Sequence, residues 1–357
     1  MTTDAALQLS RLIDQSSRPL AKWTLDEHLR RDPQLAGRSG ENWRSQWEGA
    51  IVTRLGYLAQ AIALDEPGVF AESILWLGDA FRAREVDDND LRISLQCLRE
   101  VMIEQLPGPM GQCAAEFCHL AAKDLEGENR SPDSAILAQM DTAALRYLEA
   151  LLTGDQAAAI AVCVQALERE CPIDDILVRI IQPAQAELGR LWHMDEISIA
   201  DEHAATAITE SVLVLLHDRI EPAPLNGRTV VATTVAGEQH AIGLRMVAIV
   251  FELAGWRCQY IGAGIPHPSV VETVIRHDAD LLALSCTSTL HLRSVVEVVR
   301  TTRAQASEKL NILIGGRPFV AFPGLWKKVG ADAVARDAPE GLRIATALTD
   351  RDATNSD

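Results

Sequence analysis

The sequence predicts an all-α N-terminal half followed by an α/β domain, and three observations carry this prediction. Apolar residues recur at helical spacing from the N-terminus to about residue 220. After Gly227 the pattern changes to short β-branched runs, each followed by a helical stretch. Strands that alternate with helices imply right-handed crossovers and a parallel sheet. The length of 357 residues leaves room for two or three such domains.

The pattern of residues 1–130 predicts a helical domain, because three consecutive segments each carry one apolar face at i, i+4 spacing. The apolar positions are Trp43, Trp47, Ile51 and Leu55, then Phe70, Ile74, Leu77 and Phe81, then Leu91, Leu95, Leu98 and Met102. A polar, breaker-rich segment at residues 126–133 follows and predicts a domain boundary. We therefore expect an independent helical unit at the N-terminus.

Residues 131–222 predict a four-helix bundle, because four helical segments follow each other with short connections. Pro172 is placed near the start of the third segment, where its missing N–H costs nothing. Ser198 and Asp201 have the spacing of a capping box that opens the fourth. A proline-rich linker at residues 221–227 ends the bundle.

The third domain is expected at residues 223–350, with a short tail at residues 351–357. Five runs rich in β-branched or small apolar residues predict its strands: 229–233, 257–261, 281–285, 311–314 and 331–335. The first helix of this domain is expected at residues 240–254. The predicted fold is a Rossmann-like, specifically flavodoxin-like, five-stranded parallel sheet with helices on its faces.

The bulk composition excludes several classes of protein. A formal net charge of −17, without a Lys/Arg-rich run, argues against direct binding of nucleic acid. No stretch reaches the roughly 18 apolar residues of a membrane span, and the N-terminus lacks a signal pattern. Seven scattered cysteines are typical of reduced core thiols. We expect a cytoplasmic protein.

Three unusual loops follow predicted strands of the third domain, at residues 237–243, 285–290 and 315–317. In open α/β sheets, ligands bind beyond the carboxyl ends of the strands, where these loops are expected. A lone histidine such as His240 in a βα loop is usually only a hydrogen-bonded polar residue. The presence of all three loops in this order favours a binding site.

The three loops resemble the signature of the cobalamin-binding fold shared by methionine synthase, mutases and corrinoid carriers, which reads Asp-x-His-x-x-Gly, Ser-x-Leu or Ser-x-Thr, and Gly-Gly. The matching residues are Glu238, His240, Gly243, Ser285, Thr287, Thr289, Gly315 and Gly316. The resemblance implies that His240 is the lower cobalt ligand in place of the cofactor's benzimidazole, and that the nucleotide tail passes the other loop residues. Glu238 stands where the signature has Asp, and its carboxylate can still fix the tautomer of the imidazole.

The predicted bundle carries a second group of candidates, at Trp192, His193, Glu202 and His203. It resembles the cap of the light-responsive adenosylcobalamin repressors of the CarH family. The resemblance implies that Trp192 covers the adenosyl group, that Glu202 contacts it, and that His203 supports the cap or a subunit contact. It also implies that His193 becomes the upper cobalt ligand after light, and that a homo-oligomer, dimer or tetramer, assembles in a light-dependent way.

Residues 1–130 contain no counterpart of the winged-helix DNA reader of those repressors, so DNA binding is not carried over. A helical domain on a cobalamin module resembles the photocobilins, in which a globin-like domain holds biliverdin. Cys113, Cys118 and His119 are the candidates to contact such a chromophore, and Trp76 is a further aromatic residue of the helical faces. Ordinary core packing in a dimerisation or partner-binding bundle is the alternative for this domain.

The sequence therefore predicts a regulatory light sensor with adenosylcobalamin, biliverdin as a second chromophore and an unknown protein partner, and not an enzyme. Two alternatives stay open. A corrinoid carrier of a methyltransferase system would use the same His240 loop, although a bulky Trp192 over the cobalt argues against it. A module that senses cobalamin as a ligand is the other.

Overall fold

The computed structural model describes residues 3–38, 41–127 and 140–354. The chain forms two compact units, Met1–Arg130 and Ser131–Asp357, here called the helical unit and the cap–sheet unit. The predicted boundary segment lies outside the described residues from residue 128 onward. The described part of the helical unit contains α1 (Thr3–Gln15), α2 (Ser17–Arg31), α3 (Leu35–Arg38), α4 (Trp43–Ala63), α5 (Pro67–Ala83), α6 (Asp88–Gln105) and α7 (Gly108–Gly127).

Most apolar positions predicted in the helical unit are buried. They are Ile51, Leu55, Phe70, Ile74, Leu91, Leu95, Leu98 and Met102. Trp43 and Trp47, by contrast, are only half-buried. The ring of Trp47 contacts His28 edge-on at a centroid distance of 5.3 Å and lies 5.6 Å from the buried guanidinium of Arg54. Trp47 also contacts the ring of Phe81 edge-on at a centroid distance of 6.3 Å, and Leu77 and Phe81 are likewise only half-buried.

Four helical segments form the first part of the cap–sheet unit, as predicted. They are α8 (Thr142–Leu152), α9 (Gln156–Glu168), α10 (Ile173–Asp175) continued by a π-helical turn (Ile176–Ile181) into α11 (Gln182–His193), and α12 (Ile199–Asp218). Pro172 is the N-cap of α10 and lies one position earlier than expected. The capping box of α12 is confirmed, because Ser198 and Asp201 each bond the other's backbone N–H.

The second part of the cap–sheet unit is the predicted parallel sheet of five strands. Its elements are β1 (Thr229–Val235), α13 (Ile242–Leu253), β2 (Arg257–Ile265), α14 (His267–Arg276), β3 (Leu281–Ser285), α15 (Leu292–Gln305), β4 (Asn311–Gly315), α16 (Arg317–Ala321), α17 (Leu325–Lys328), β5 (Ala333–Ala335) and α18 (Ala338–Thr354). The strand order β2-β1-β3-β4-β5 confirms the flavodoxin-like topology, whose order reverses beside β1 and β3. Thr234 pairs with Ser285, which pairs with Gly315, so the three loops meet at one edge.

Several predicted strand boundaries are wrong, since β1 ends two residues later and β5 begins two residues later than expected. Strand β2 extends four residues beyond the expected end, with Gly262 and Gly264 in the left-handed region, because these glycines permit the irregular pairing with β1. Helix α18 extends to Thr354, so the first residues of the expected tail are helical.

The cap helices pack on α13 of the sheet domain. Leu213 and Leu216 of α12 share a core with Met246 and Ile249 of α13. Nε2 of His217 lies 3.0 Å from a carboxylate oxygen of Glu252, which joins the two helices at the surface. The predicted cap and sheet domains are therefore packed as one compact unit. Among the described residues, no helix is long and apolar enough to cross a bilayer.

Candidate functional site

The loop after β1 turns sharply into the protein. Gly237 adopts a φ of 88°, and the N–H of Glu238 donates to the carbonyl of Val235 at 3.0 Å. The hydroxyl of Thr234 donates to the carbonyl of Glu238 at 2.7 Å. These local bonds direct the Glu238 side chain inward, and it has no exposed surface.

The Glu238 carboxylate joins two loops. Its Oε2 accepts hydrogen bonds from the backbone N–H groups of Thr287 at 2.7 Å and Ser288 at 2.8 Å. Its Oε1 accepts from the backbone N–H of His240 at 3.1 Å and lies 2.5 Å from the ring Nδ1. Four donors thus surround one buried carboxylate and hold the loop after β1 against the loop after β3.

The electrostatics of this pair fix the protonation of the imidazole. Burial opposes ionisation of Glu238, but the hydrogen bonds from His240 and Ser288 prevail and lower its pKa to about 2. The hydrogen bond to Glu238 raises the pKa of His240 against desolvation, and the charge of Glu202 in the cap adds to the rise. Glu238 is therefore a carboxylate at neutral pH, and Nδ1 of His240 is its donor. With Nδ1 engaged, Nε2 is the free ligand atom of a side chain that is 66% exposed.

The three site glycines differ in the space around them. A Cβ on Gly316, whose φ is 112°, would lie 1.9 Å from the carbonyl oxygen of Cys286. A Cβ on Gly315 would lie 3.3 Å from the carbonyl of Ala335, while one on Gly243 would meet nothing within 4 Å. At Gly316 the chain's own packing therefore requires glycine, whether or not a ligand approaches.

The hydroxyl residues of the second loop lie at the same edge. Ser285 ends β3 and is half-buried, and Thr287 follows it with its backbone bonded to Glu238. Thr289 begins a 3-10 turn that Ser288 caps by accepting from the N–H of Leu290 at 3.3 Å. The predicted residues of the three loops are thus brought together.

In the cap, Arg190 links α11 to the turn that follows it. Arg190 donates to the buried carboxylate of Glu187 at 2.8 and 3.0 Å and to Glu196 at 2.9 Å. Trp192 is half-buried in this turn, and the next side chain, His193, is 7% exposed. His193 is thus held inside the cap rather than at its surface.

Glu202 and His203 open the last cap helix. One Glu202 oxygen lies 2.6 Å from Nδ1 of His203, and the other accepts from Thr206 Oγ1 at 2.9 Å. The charge of Glu202 acts on His240, which places this cap residue in the electrostatic surroundings of the His240 ring. The side chain of His203 is 72% exposed.

Sequence reasoning missed three residues of the site. The Thr234 hydroxyl donates to the carbonyl of Glu238 and accepts from the N–H of Gly264 at 2.8 Å. A threonine near the end of a mostly apolar strand was the sequence feature that could have indicated this role. Ser288 contributes a backbone N–H, which no side-chain pattern reveals. His291 packs on Gly237, where an added Cβ would lie 2.8 Å from its Cε1, and burial lowers its pKa.

The chromophore candidates of the helical unit differ in accessibility. Cys118 is buried, and burial raises its pKa to about 12, which makes it a poor nucleophile. Burial also raises the pKa of the half-buried Cys113. His119 is exposed.

Two family matches cover most of the cap–sheet unit. A B12 binding domain family matches residues 228–345, and a second B12 binding domain family matches residues 144–216. The first range contains the three loops, and the second contains Trp192 to His203.

Several relatives of this chain are corrinoid proteins. It is 26% identical to dimethylamine corrinoid protein 3 of Methanosarcina acetivorans over 187 residues, which are 52% of this chain and 87% of the relative. It is 31% identical to dimethylamine corrinoid protein 3 of Methanosarcina mazei over 122 residues, which are 33% of this chain and 71% of the relative. The structure also resembles the solved structure of the Methanosarcina barkeri monomethylamine corrinoid protein, with a TM-score of 0.51 and 20% sequence identity. The similarity covers 57% of this chain and 96% of that protein.

Proposed function

Because the chain belongs to the family of B12-binding corrinoid proteins, we propose that it carries a cobalamin and presents it to a partner protein for the transfer of a methyl group. Its relatives are named dimethylamine corrinoid proteins, and a corrinoid associated with a methylated amine supports a methyl carrier. This proposal favours the carrier alternative of the sequence analysis over light sensing. The carrier holds the cofactor, and catalysis belongs to the partner methyltransferase.

The observation that carries the proposal is the buried Glu238 carboxylate bonded to Nδ1 of the exposed His240 ring. The fit to a cobalt cofactor rests on this donor set, because a carboxylate on one ring nitrogen orients the other and raises its basicity. When bound, the cobalamin would supply a cobalt centre able to accept and release a one-carbon group. Nε2 of His240 would hold that cobalt.

The proton on His240 decides whether the ring can bind. Metal ligation needs a neutral imidazole with an unprotonated nitrogen. Glu238 keeps the proton at Nδ1, so that loss of the second proton frees Nε2. The raised pKa of His240 makes this ligation weaker in mildly acidic solution.

The nucleotide tail of the cofactor is proposed to pass the remaining loop residues. Open space around Gly243 supports this path. The other residues assigned to it are Ser285, Thr287, Thr289, Gly315 and Gly316. Their hydroxyl groups offer hydrogen bonds at the edge where the three loops meet.

Light sensing with adenosylcobalamin is the second candidate, favoured by the influence of Glu202 on His240 and by the adjacent Trp192 and His193. In this candidate Trp192 covers the adenosyl group, Glu202 contacts it, and His203 supports a subunit contact. His193 would have to leave its buried position in the cap to bind cobalt after light. Biliverdin in the helical unit and light-dependent assembly belong to this candidate.

The lower ligand is tested with His240→Ala, and His277→Ala is the control at a partly exposed helix end of the same unit. Both proteins are titrated with hydroxocobalamin, reduced, and examined by electron paramagnetic resonance. Because the cofactor's own benzimidazole also splits the signal, the proteins are labelled uniformly with nitrogen-15. We expect the two-line splitting of a labelled histidine in the wild type and control, and its loss in His240→Ala, where only the three-line splitting of unlabelled benzimidazole can remain. Two-line splitting in His240→Ala would contradict the assignment.

The two candidate functions are separated by loading the protein with adenosylcobalamin and recording absorbance and size-exclusion profiles in the dark and after green light. A carrier gives no light-dependent change in assembly, whereas a sensor does, and in a sensor His193→Ala reduces that change. Expression with biliverdin tests the second chromophore by its red absorbance. A light-dependent change in assembly would overturn the carrier proposal.

A further inference from the structure

A groove in the helical unit lies between the end of α2 and the adjoining helices α6 and α7. Its volume is about 350 Å³, within the range typical of small-molecule sites. Arg31 lines it from the last residue of α2, Arg99 comes from α6, and His119 and Lys123 come from successive turns of α7. The groove therefore collects basic side chains from three helices.

The cations of the groove are only partly compensated. Arg31 is hydrogen-bonded to Glu100 and, at 3.2 Å, to Glu27. Within the part of the chain that the structure describes, neither Arg99 nor Lys123 has a hydrogen-bond or ion-pair partner. Arg31, Arg99 and Lys123 carry three positive charges against the two carboxylates of Glu27 and Glu100, which leaves a local net charge of +1 in a chain whose net charge is −17.

The floor of the groove is apolar. Leu95 and Cys118 line it and are each 1% exposed, and Ala122 continues it between the two basic positions of α7. Arg99 and Cys118 line the same groove, so a cation and apolar side chains are available to one ligand. An apolar stem can therefore pack beneath a charged head group.

The size and charge of the groove select its ligand. The acidic chain as a whole repels polyanions such as nucleic acid, while the groove holds only a small molecule. Arginine and lysine are the side chains that recognise carboxylate and phosphate groups. We propose that this groove binds a small molecule with a carboxylate or phosphate head group on a short apolar stem.

The proposal is tested by isothermal titration of the full-length protein with hexanoate, hexyl phosphate and inorganic phosphate, with hexylammonium as the cationic control ligand. We expect saturable binding of hexanoate or hexyl phosphate, weaker binding of inorganic phosphate, and none of hexylammonium. The comparison of hexanoate with hexyl phosphate identifies the head group. Absence of saturable binding by every anionic probe overturns the proposal, and equal affinity for inorganic phosphate and hexyl phosphate overturns the apolar stem.

The double variant Arg99→Ala/Lys123→Ala removes the two unpaired cations, both of which are exposed, and Arg11→Ala is the matched control on α1. We expect each removed cation to weaken binding about tenfold, and the control to bind as the wild type does. Far-ultraviolet circular dichroism checks that the variant is folded. Unchanged affinity in the folded double variant places the ligand elsewhere and contradicts the proposal.

Discussion

The loop around His240 and the cap turn around Trp192 belong to one compact unit, but they are held in different ways. In the loop, a single buried carboxylate accepts from four nearby donors, so Glu238 fixes the ring before any cofactor is present. In the cap turn, Arg190 bridges two carboxylates, and Trp192 is only half-buried. The proposed lower ligand is therefore preorganised by hydrogen bonds within the loop. The position of the cap residues depends instead on side-chain packing, which a mutation can change without disturbing the loop.

The largest effect on stability is expected from Gly316→Ala in the loop after β4. The new Cβ would lie 1.9 Å from the Cys286 carbonyl at a φ of 112°, so the backbone must shift. We expect the free energy of unfolding to fall by about 2–3 kcal/mol, measured by urea denaturation without cofactor. An ordinary surface substitution costs less than about 0.5 kcal/mol. A loss this small in Gly316→Ala would show that the loop after β4 can shift easily and is not rigid.

Glu238→Gln tests whether the carboxylate preorganises His240. In one orientation the amide oxygen accepts from His240, but the amide N–H₂ group then faces the N–H donors of Thr287 and Ser288. In the other orientation the oxygen accepts from Thr287 and Ser288, but the N–H₂ group faces the donors of His240. We expect cobalamin affinity to fall about 10–100-fold, measured by absorbance titration with hydroxocobalamin. Glu196→Gln, which removes an exposed acid from the cap turn, is the control. Equal affinity in both variants would contradict the preorganised loop.

Gly243→Ala separates stability from binding, because a Cβ there meets nothing within 4 Å. Alanine at this position in α13 is expected to raise the free energy of unfolding by about 0.5 kcal/mol. If the nucleotide tail passes Gly243, cobalamin affinity should nevertheless decrease. Unchanged affinity, measured by the same titration, would remove Gly243 from the proposed path.

The pH dependence of stability follows from the lowered pKa of Glu238. The depressed value means that its contribution is fully present above the ordinary pKa of about 4.3 and is lost as pH falls toward about 2. Denaturation of the wild type and Glu238→Gln at several pH values should show their difference shrinking over this acid window. A constant difference would mean that Glu238 is not ionised in the native protein.

The smallest effect is expected from the cap. The charge of Glu202 adds to the rise in the pKa of His240, after the larger hydrogen bond to Glu238. Glu202→Gln should therefore lower the pKa of His240 slightly, while Glu210→Gln, an exposed acid on the same helix, should leave it unchanged. The ring resonances of His240 in an NMR titration measure both. Equal shifts in the two variants would show that the cap does not act on the loop.

The sequence alone determined the parallel sheet and the grouping of its three loops. Alternation of apolar runs with helical stretches fixes the crossovers, and a parallel sheet then places every βα loop at one edge. His240 and its carboxylate Glu238 are two residues apart, so their pairing follows from local geometry. For the same reason, the capping box at Ser198 was predictable from four residues.

Only the tertiary structure decided which groups complete the site. The backbone N–H groups of Thr287 and Ser288 reach Glu238 from 49 and 50 residues away, and backbone donors leave no mark in the sequence. The burial of His193 and the influence of Glu202 on His240 depend on how the cap packs against α13. Spacing along the chain determines contacts within one turn or loop. Contacts between separate elements depend on how the elements pack, and many different sequences are compatible with the same packing, so the sequence pattern does not reveal them.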